Sequence, residues 1–255
     1  MLGYMFKDDK RFHYAEEYLQ GQGYTFAEDL WAPENLDFIV FPFFGKIDAV
    51  EYDNLFFNRL KKEIILFSGV FNEYIAGQCQ ARGWPYYPIM SDEAVKAKNA
   101  IPTSEGVIAH LIYNRNKTIF GSSVLISGYG IVGSNLAEKL QALGAKVYAL
   151  VRNSVKESYA YRQGITPVYL QDIGKLQFDV VVNTVPAEVF DKSMLDQLKG
   201  AMMVEIASPP YGFSMEYAKA LNSDSVLLPG IPGKLAVKSA GRILGQYIDE
   251  KLKLS

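Results

Sequence analysis

The sequence predicts an α/β protein with two parallel-sheet parts, and three observations predict it. A glycine turn, Gly128-Tyr129-Gly130-Ile131-Val132-Gly133, follows a short apolar run, Val124-Leu125-Ile126-Ser127. After the turn, Leu136, Leu140 and Leu143 recur at helical spacing until Gly144. Apolar runs then alternate with helical stretches along most of the chain, which is the pattern of a parallel sheet covered by helices. The third observation is an amphipathic segment after Pro232-Gly233, whose apolar Leu235, Ile243, Leu244, Tyr247, Ile248 and Leu252 need a surface to cover. Together these give a Rossmann dinucleotide-binding domain, a smaller flavodoxin-like α/β domain before it, and a C-terminal helix that returns to the first domain.

In the first part, residues 1–100, strands are expected near residues 2–6, 38–42 and 64–67, and helices near 12–19, 54–60 and 72–81. Residues 101–120 form a linker helix, with Pro102-Thr103-Ser104-Glu105 as its start and Val107, Ile108, Leu111 and Ile112 as its apolar face. Residues 121–232 carry six strands, beginning near Val124, Val147, Pro167, Val180, Met203 and Val226, which is the number one dinucleotide-binding sheet holds. Residues 233–255 are the returning helix.

Composition removes several classes of function. Over 255 residues, 26 basic side chains face 28 acidic ones, so neither a nucleic-acid footprint nor a polybasic membrane surface is expected. No apolar run approaches the roughly 20 residues of a membrane helix. The residues from Met1 to Lys7 lack an apolar signal core, and Cys79, the single cysteine, has no internal partner, so a cytoplasmic location is expected. No metal-ligand cluster is legible.

The chemistry starts at the glycine turn. Gly128 suits the tight turn, Gly130 lets backbone approach a pyrophosphate, and Gly133 lets the helix pack on the strand, with phosphate charge at the helix N-terminus. Backbone of Tyr129, Ile131 and Val132 completes the loop. An NAD enzyme usually places a carboxylate about twenty residues beyond such glycines. Here Arg152, Asn153 and Ser154 occupy that place, and a guanidinium suits a 2′-phosphate, so NADP is favoured and NAD is the alternative. Asn183-Thr184-Val185-Pro186 follows the fourth strand of this sheet and Ala207-Ser208-Pro209-Pro210 the fifth, at the strand ends where open α/β sheets bind ligands. Asn183, Thr184, Pro186 and Ser208 are therefore candidates beside a nicotinamide.

Four segments together resemble the A-subunit family of dipicolinate synthase. They are Ile101-Pro102-Thr103-Ser104-Glu105-Gly106, the glycine turn, Asn183-Thr184-Val185-Pro186-Ala187, and Pro229-Gly230-Ile231-Pro232-Gly233-Lys234 followed by Ser239-Ala240-Gly241-Arg242-Ile243-Leu244. The resemblance spans about two-thirds of the chain. It implies oxidation of a dihydrodipicolinate-type compound to pyridine-2,6-dicarboxylate during sporulation, with reduction of NADP, and a flavoprotein-like second subunit. It also aligns Ser68, Gly69 and Asn72 with a Ser-Gly loop of the first domain, and Thr103, Glu105 and Gly106 with the start of the interdomain helix. The chain departs from the family near residues 43–61, where it is shorter, and at Ala207-Ser208-Pro209-Pro210-Tyr211-Gly212, where the family carries Ala-Ser-Arg-Pro-Gly-Gly.

A cyclic dicarboxylate substrate needs cationic and neutral donors. Lys234, taken to open the last helix, supplies the charge, and Ser68, Asn72, Thr103 and Ser104 supply neutral groups. Lys234 and Ser208 are the candidate catalytic residues. His13 and His110 fall outside the Arg, Glu and His arrangement of a hydroxyacid dehydrogenase and are read as structural. A homo-oligomer is expected. Two other readings stand beside that of a dehydrogenase component. One is a non-catalytic dinucleotide-binding paralogue or scaffold, and the other is a small hydroxyacid or amino-acid dehydrogenase.

Overall fold

A computed structural model of the chain describes residues 1–47 and 51–254. The first parallel sheet is built from β1 (Leu2–Met5), α1 (Lys10–Gly21), β2 (Thr25–Phe26), β3 (Phe38–Val40), α2 (Asn54–Asn58), β4 (Ile65–Ser68), α3 (Glu73–Arg82) and β5 (Tyr86–Pro88). A long helix, α4 (Glu93–Asn114), follows. The second sheet is built from β6 (Ser123–Ser127), α5 (Ile131–Ala142), β7 (Lys146–Leu150), α6 (Ser154–Arg162), β8 (Thr166–Val168), β9 (Val180–Asn183), α7 (Lys192–Gln197), β10 (Met202–Glu205), α8 (Met215–Leu221) and β11 (Val226–Leu227). Short α9 (Ile231–Leu235) and long α10 (Val237–Leu254) end the chain. The chain divides into Met1–Asn99 with Pro232–Ser255, and Ala100–Ile231.

In the first unit the strand order is β2-β1-β3-β4-β5, all parallel, which is the flavodoxin-like order. Two apolar cores cover its faces. Phe38, Val40, Ile65 and Phe67 pack beneath α1 and α10, and Ile39, Phe41, Leu66 and Phe57 pack on the opposite side. The last helix thus lies in this unit. It approaches α1 closely because Gly241 and Gly245 face it: a Cβ at Gly241 would lie 2.3 Å from the Arg11 carbonyl oxygen. Two strands here, β2 and β5, are absent from the expectation. Both sit at sheet edges, and neither carries a buried apolar run. The stretch at residues 43–61, expected to be shortened, includes 48–50, which lie outside the described residues, as does residue 255 of the returning segment.

The second unit carries the order β11-β10-β9-β6-β7-β8, the six-stranded Rossmann arrangement, all parallel. All six expected strands are present. Val124, Ile126, Val180, Val182 and Val204 pack under α4 and α5, while Leu125, Val181 and Met203 pack under α7 and α8.

The expected start of the linker helix is corrected. The helix begins at Glu93, and Asp92 is the true cap: its Oδ1 accepts from Ala94 N (2.9 Å) and Val95 N (3.1 Å). Pro102, expected in the first turn, is an interior residue of α4. Thr103 and Ser104 therefore lie in mid-helix, away from any helix N-terminus.

Candidate functional site

The glycine turn joins β6 to α5, and each glycine does a separate job. Gly128 has φ +88, and a Cβ there would lie 2.4 Å from Val185 Cγ2. At Gly133 a Cβ would lie 2.0 Å from the Gly128 carbonyl oxygen, so only glycine lets α5 come this close to the turn. Gly130 differs, since nothing lies within 4 Å of the Cβ position. It is the N-cap of α5 and supplies no side-chain cap, leaving first-turn N–H groups for an anion. Ser127 Oγ, one residue before the turn, is buried without a hydrogen-bond partner among the described residues. An open glycine, an uncapped helix start and an orphaned hydroxyl fit a dinucleotide pyrophosphate.

Neighbouring strands brace the turn. The Thr184 hydroxyl lies 2.9 Å from the Ser127 carbonyl oxygen and 3.2 Å from that of Gly128, within donating distance of both, and Thr184 N donates to Ser127 O (3.0 Å). Thr184 thus fixes the loop that would cradle phosphate. Tyr129 contributes only backbone: its ring is buried in the core and its hydroxyl is paired with Gln163 Oε1, which corrects any side-chain role toward cofactor. Ile131 and Val132 form the first turn of α5, the former exposed.

Beyond β7 the chain turns outward at Arg152, Asn153 and Ser154, all exposed. Asn153 caps α6, its Oδ1 accepting from Lys156 N (3.0 Å). The Arg152 guanidinium makes no hydrogen bond or ion pair with the described residues and is available to a ligand.

The ends of β9 and β10 hold the largest departure from expectation. Asn183 is fully buried, and its amide serves the protein: Nδ2 donates to Val185 O (2.9 Å) and to both oxygens of Glu205 (2.9 Å each), while Oδ1 accepts from Val185 N (3.2 Å). A direct bond from the Asn183 side chain to cofactor is therefore corrected. Glu205, also fully buried, accepts further from Ala207 N and Gly212 N, both at 2.8 Å. Burial pushes its carboxyl above the usual range, against the opposing pull of the hydrogen bonds from Asn183, Gly212 and Ala207. Ser208 is exposed in the loop that Glu205 closes, and Pro186 is exposed after β9. Sequence reasoning misses Glu205, although one acid ending the otherwise apolar run Met202-Met203-Val204 is a legible signal.

The substrate-side candidates fare differently. Ser68, at the end of β4, is fully buried, and its hydroxyl lies 2.8 Å from Pro42 O and 2.9 Å from Val70 O. Asn72 caps α3, with Oδ1 accepting from Ile75 N (2.7 Å) and Nδ2 donating to Gly45 O (2.5 Å). Both are committed to holding their own loops, which corrects their assignment as open donors. Ser104 is fully buried in α4, and its hydroxyl has no hydrogen-bond partner among the described residues; Thr103 is half-buried there. Lys234 is exposed in the last turn of α9, while α10 opens at Val237, so the expected pairing of its charge with a helix start is corrected. His13 is exposed on α1. His110 on α4 is within hydrogen-bond distance of Asn114 Nδ2, and burial lowers its pKa.

Residues 95–207 match the family model described as D-isomer specific 2-hydroxyacid dehydrogenase, NAD binding domain. The A subunit of dipicolinate synthase from Bacillus subtilis (strain 168) is 28% identical over 198 residues, which are 76% of this chain and 67% of that protein. The crystal structure of the corresponding dipicolinate synthase protein from Bacillus halodurans superposes with a TM-score of 0.86 at 26% identity, covering 98% of this chain and 97% of that one. The crystal structure from Bacillus subtilis gives 0.87 at 23% identity, covering 99% and 96%. The curated relative and these structural neighbours are thus A subunits of dipicolinate synthase, as the motifs indicate. Similarity to an NAD-binding dehydrogenase domain supports a nicotinamide dinucleotide cofactor and an oxidoreductase-like role. No helix among the described residues is long and apolar enough to cross a membrane.

Proposed function

Taking similarity to the A subunit of dipicolinate synthase as the premise, we propose that the chain is an NADP-linked oxidoreductase subunit. Its substrate is a dihydrodipicolinate-type precursor, oxidised to pyridine-2,6-dicarboxylate during sporulation. In this reading residues 121–232 bind the cofactor, the first unit with the returning helix binds the cyclic dicarboxylate, and a flavoprotein-like second subunit completes the enzyme. The observation that carries the cofactor reading is the open Gly130 at the uncapped start of α5, with the uncommitted Arg152 at the next strand end. Bound nicotinamide would supply the acceptor for a hydride from the ring, whose proton leaves to water as the ring becomes aromatic.

The chain's own residues bind and orient. First-turn amides of α5 hold phosphate, and Arg152 recognises the 2′-phosphate with two parallel hydrogen bonds. Lys234 and Ser208, both exposed, are left for substrate carboxylate or product. Because aromatisation drives the step, orientation matters more than a strong base.

The test begins with calorimetry. NADP is expected to bind at least about tenfold more tightly than NAD, since a charge-assisted pair contributes on the order of 1.5 to 3 kcal/mol, and Arg152→Ala should erase that preference. A preference unchanged in the variant refutes the Arg152 assignment. Freshly made 4-hydroxy-tetrahydrodipicolinate, which loses water to give the dihydrodipicolinate that is oxidised, and NADP are then supplied with and without the second subunit, while pyridine-2,6-dicarboxylate is followed by ultraviolet absorbance. The chain alone should bind cofactor yet turn over poorly. A second reading, a non-catalytic dinucleotide-binding paralogue, is favoured by the internal commitment of Ser68 and Asn72. It predicts cofactor binding with no product in either mixture.

A further inference from the structure

Glu205 is a buried acid that neither phosphate binding nor the proposed oxidation uses. Its side chain is fully buried, yet every acceptor position is engaged. Oε1 accepts from Ala207 N and Asn183 Nδ2, and Oε2 accepts from Gly212 N and Asn183 Nδ2, all between 2.8 and 2.9 Å. A carboxylate accepts and an amide nitrogen donates, so this network fixes which way the Asn183 amide points. The second amide hydrogen of Asn183 goes to Val185 O, and its oxygen receives Val185 N. One carboxylate therefore closes the loop after β10 at both ends, at Ala207 and Gly212, and through Asn183 it locks the loop after β9. The fit is tight: a Cβ at Gly212 would lie 2.4 Å from Asn183 Nδ2. Gly212 O in turn accepts from Val189 N (2.8 Å) and Phe190 N (2.9 Å), tying the far end of the same loop after β9.

The place of this network gives it meaning. In the six-stranded order, β6, β7 and β8 form one mononucleotide half and β9, β10 and β11 the other. The glycine turn and Arg152 belong to the first half, so the ends of β9 and β10 fall to the half that receives the nicotinamide. The glycine turn is tied separately, through Thr184 to Ser127 and Gly128.

We propose that Glu205 and Asn183 are positioning residues for the nicotinamide half of the cofactor: they touch no cofactor atom but hold the Val185-Pro186 and Ser208-Pro209-Pro210-Tyr211 segments in one arrangement. This rests on the cofactor site proposed above. A buried polar network with every member satisfied suits the task, because it specifies one loop geometry where an apolar contact would allow several.

The test compares NADP with 2′-phosphoadenosine 5′-diphosphoribose, which carries every part of NADP except nicotinamide. Both are titrated calorimetrically into wild type, Glu205→Gln and Asn183→Ala. Wild type should bind NADP more tightly than the fragment. In the variants the fragment should bind within about twofold of wild type, certifying an intact fold, while the ratio of the two affinities falls toward one by about tenfold. An unchanged ratio in both variants, equal affinities in wild type, or a parallel loss of both ligands overturns the proposal. If wild type binds neither NADP nor NAD, the cofactor reading itself fails, a result distinct from an unchanged ratio. Hydrogen exchange on wild type decides the matter should the variants not fold: the Ala207 and Gly212 amides should exchange as slowly as those within β10, and fast exchange at both overturns the network.

Discussion

Substituting alanine at Gly130 and at Gly133 separates binding from folding within one turn. A Cβ at Gly130 meets nothing within 4 Å, and the backbone there, φ −96 and ψ −160, is open to any residue. Gly130→Ala should therefore leave thermal stability unchanged within about 2 °C. The same methyl group occupies the space through which backbone approaches the pyrophosphate, so NADP affinity should fall by about tenfold or more. Gly133→Ala is different in kind. Its Cβ would lie 2.0 Å from the Gly128 carbonyl oxygen, an ångström inside the closest contact that real Cβ atoms make, and the atom struck is backbone that cannot rotate aside. Helix α5 has to retreat. Replacing glycine in a helix regains up to about 1 kcal/mol, but overpacking against backbone costs near the upper end of about 1 to 3 kcal/mol, so the net loss is on the order of 2 kcal/mol. Scanning calorimetry should show Tm lower by roughly 4 to 8 °C, with NADP affinity reduced as well because the helix start has moved. Wild-type NADP affinity in Gly130→Ala, or an unshifted Tm in Gly133→Ala, refutes the division of labour between the two glycines.

Further outcomes concern the first unit. Gly241→Ala drives a Cβ to 2.3 Å from the Arg11 carbonyl oxygen and should lower the urea unfolding free energy by about 2 kcal/mol, whereas Gly77→Ala, in α3 with nothing within 4 Å, should raise it by about 0.5 to 1 kcal/mol. Burial, together with the hydrogen bond donated to Asp249, pushes the Tyr24 phenol up to about 12. Folding therefore favours its neutral form; that stabilisation is complete below the unfolded value of about 10 and is lost as pH rises toward 12. Urea midpoints at pH 9 and pH 11 should drop less in Tyr24→Phe than in wild type, and an equal drop removes Tyr24 from the explanation. Cys79 is fully buried and burial pushes its thiol up to about 12, so an aromatic disulfide reagent should label it only on unfolding; rapid labelling of the native protein contradicts that burial.

Much of the fold is legible in sequence because its signals are local. The glycine turn announces itself within six residues, since each glycine answers a need set by its immediate neighbours, and the inner strands β6, β9 and β10 of the second unit are runs buried on both faces. The returning helix is legible from the apolar Ile243, Leu244, Tyr247, Ile248 and Leu252, whereas Leu235, expected on the same face, is exposed in α9. Local rules fail where two of them compete. Pro102 satisfies the rule for a first-turn proline, yet Asp92, Glu93 and Ala94 start the helix earlier, and the longer helix wins because Val95, Val107 and Leu111 along it are all buried. The edge strands β2 and β5 escape notice because short, half-exposed strands need no continuous apolar run.

The candidate site is legible only where backbone makes it. Phosphate binding rests on glycines and a helix start, which sequence order prescribes. Side-chain roles depend on what lies across the sheet, and that is where polar residues at strand ends mislead: Asn183, Ser68 and Asn72 have the chemistry of ligand donors, but each finds its partner inside the protein. A buried amide or hydroxyl without a partner costs about 1 to 3 kcal/mol, so such residues are drawn into internal bonds wherever the fold offers them. Arg152 escapes this pull because it is exposed beyond the end of β7, with no carboxylate in the adjoining Asn153 and Ser154. Residues that remain uncommitted after folding are the better candidates for binding, and by that criterion Arg152 and the amides of the first α5 turn rank above Asn183, Ser68 and Asn72.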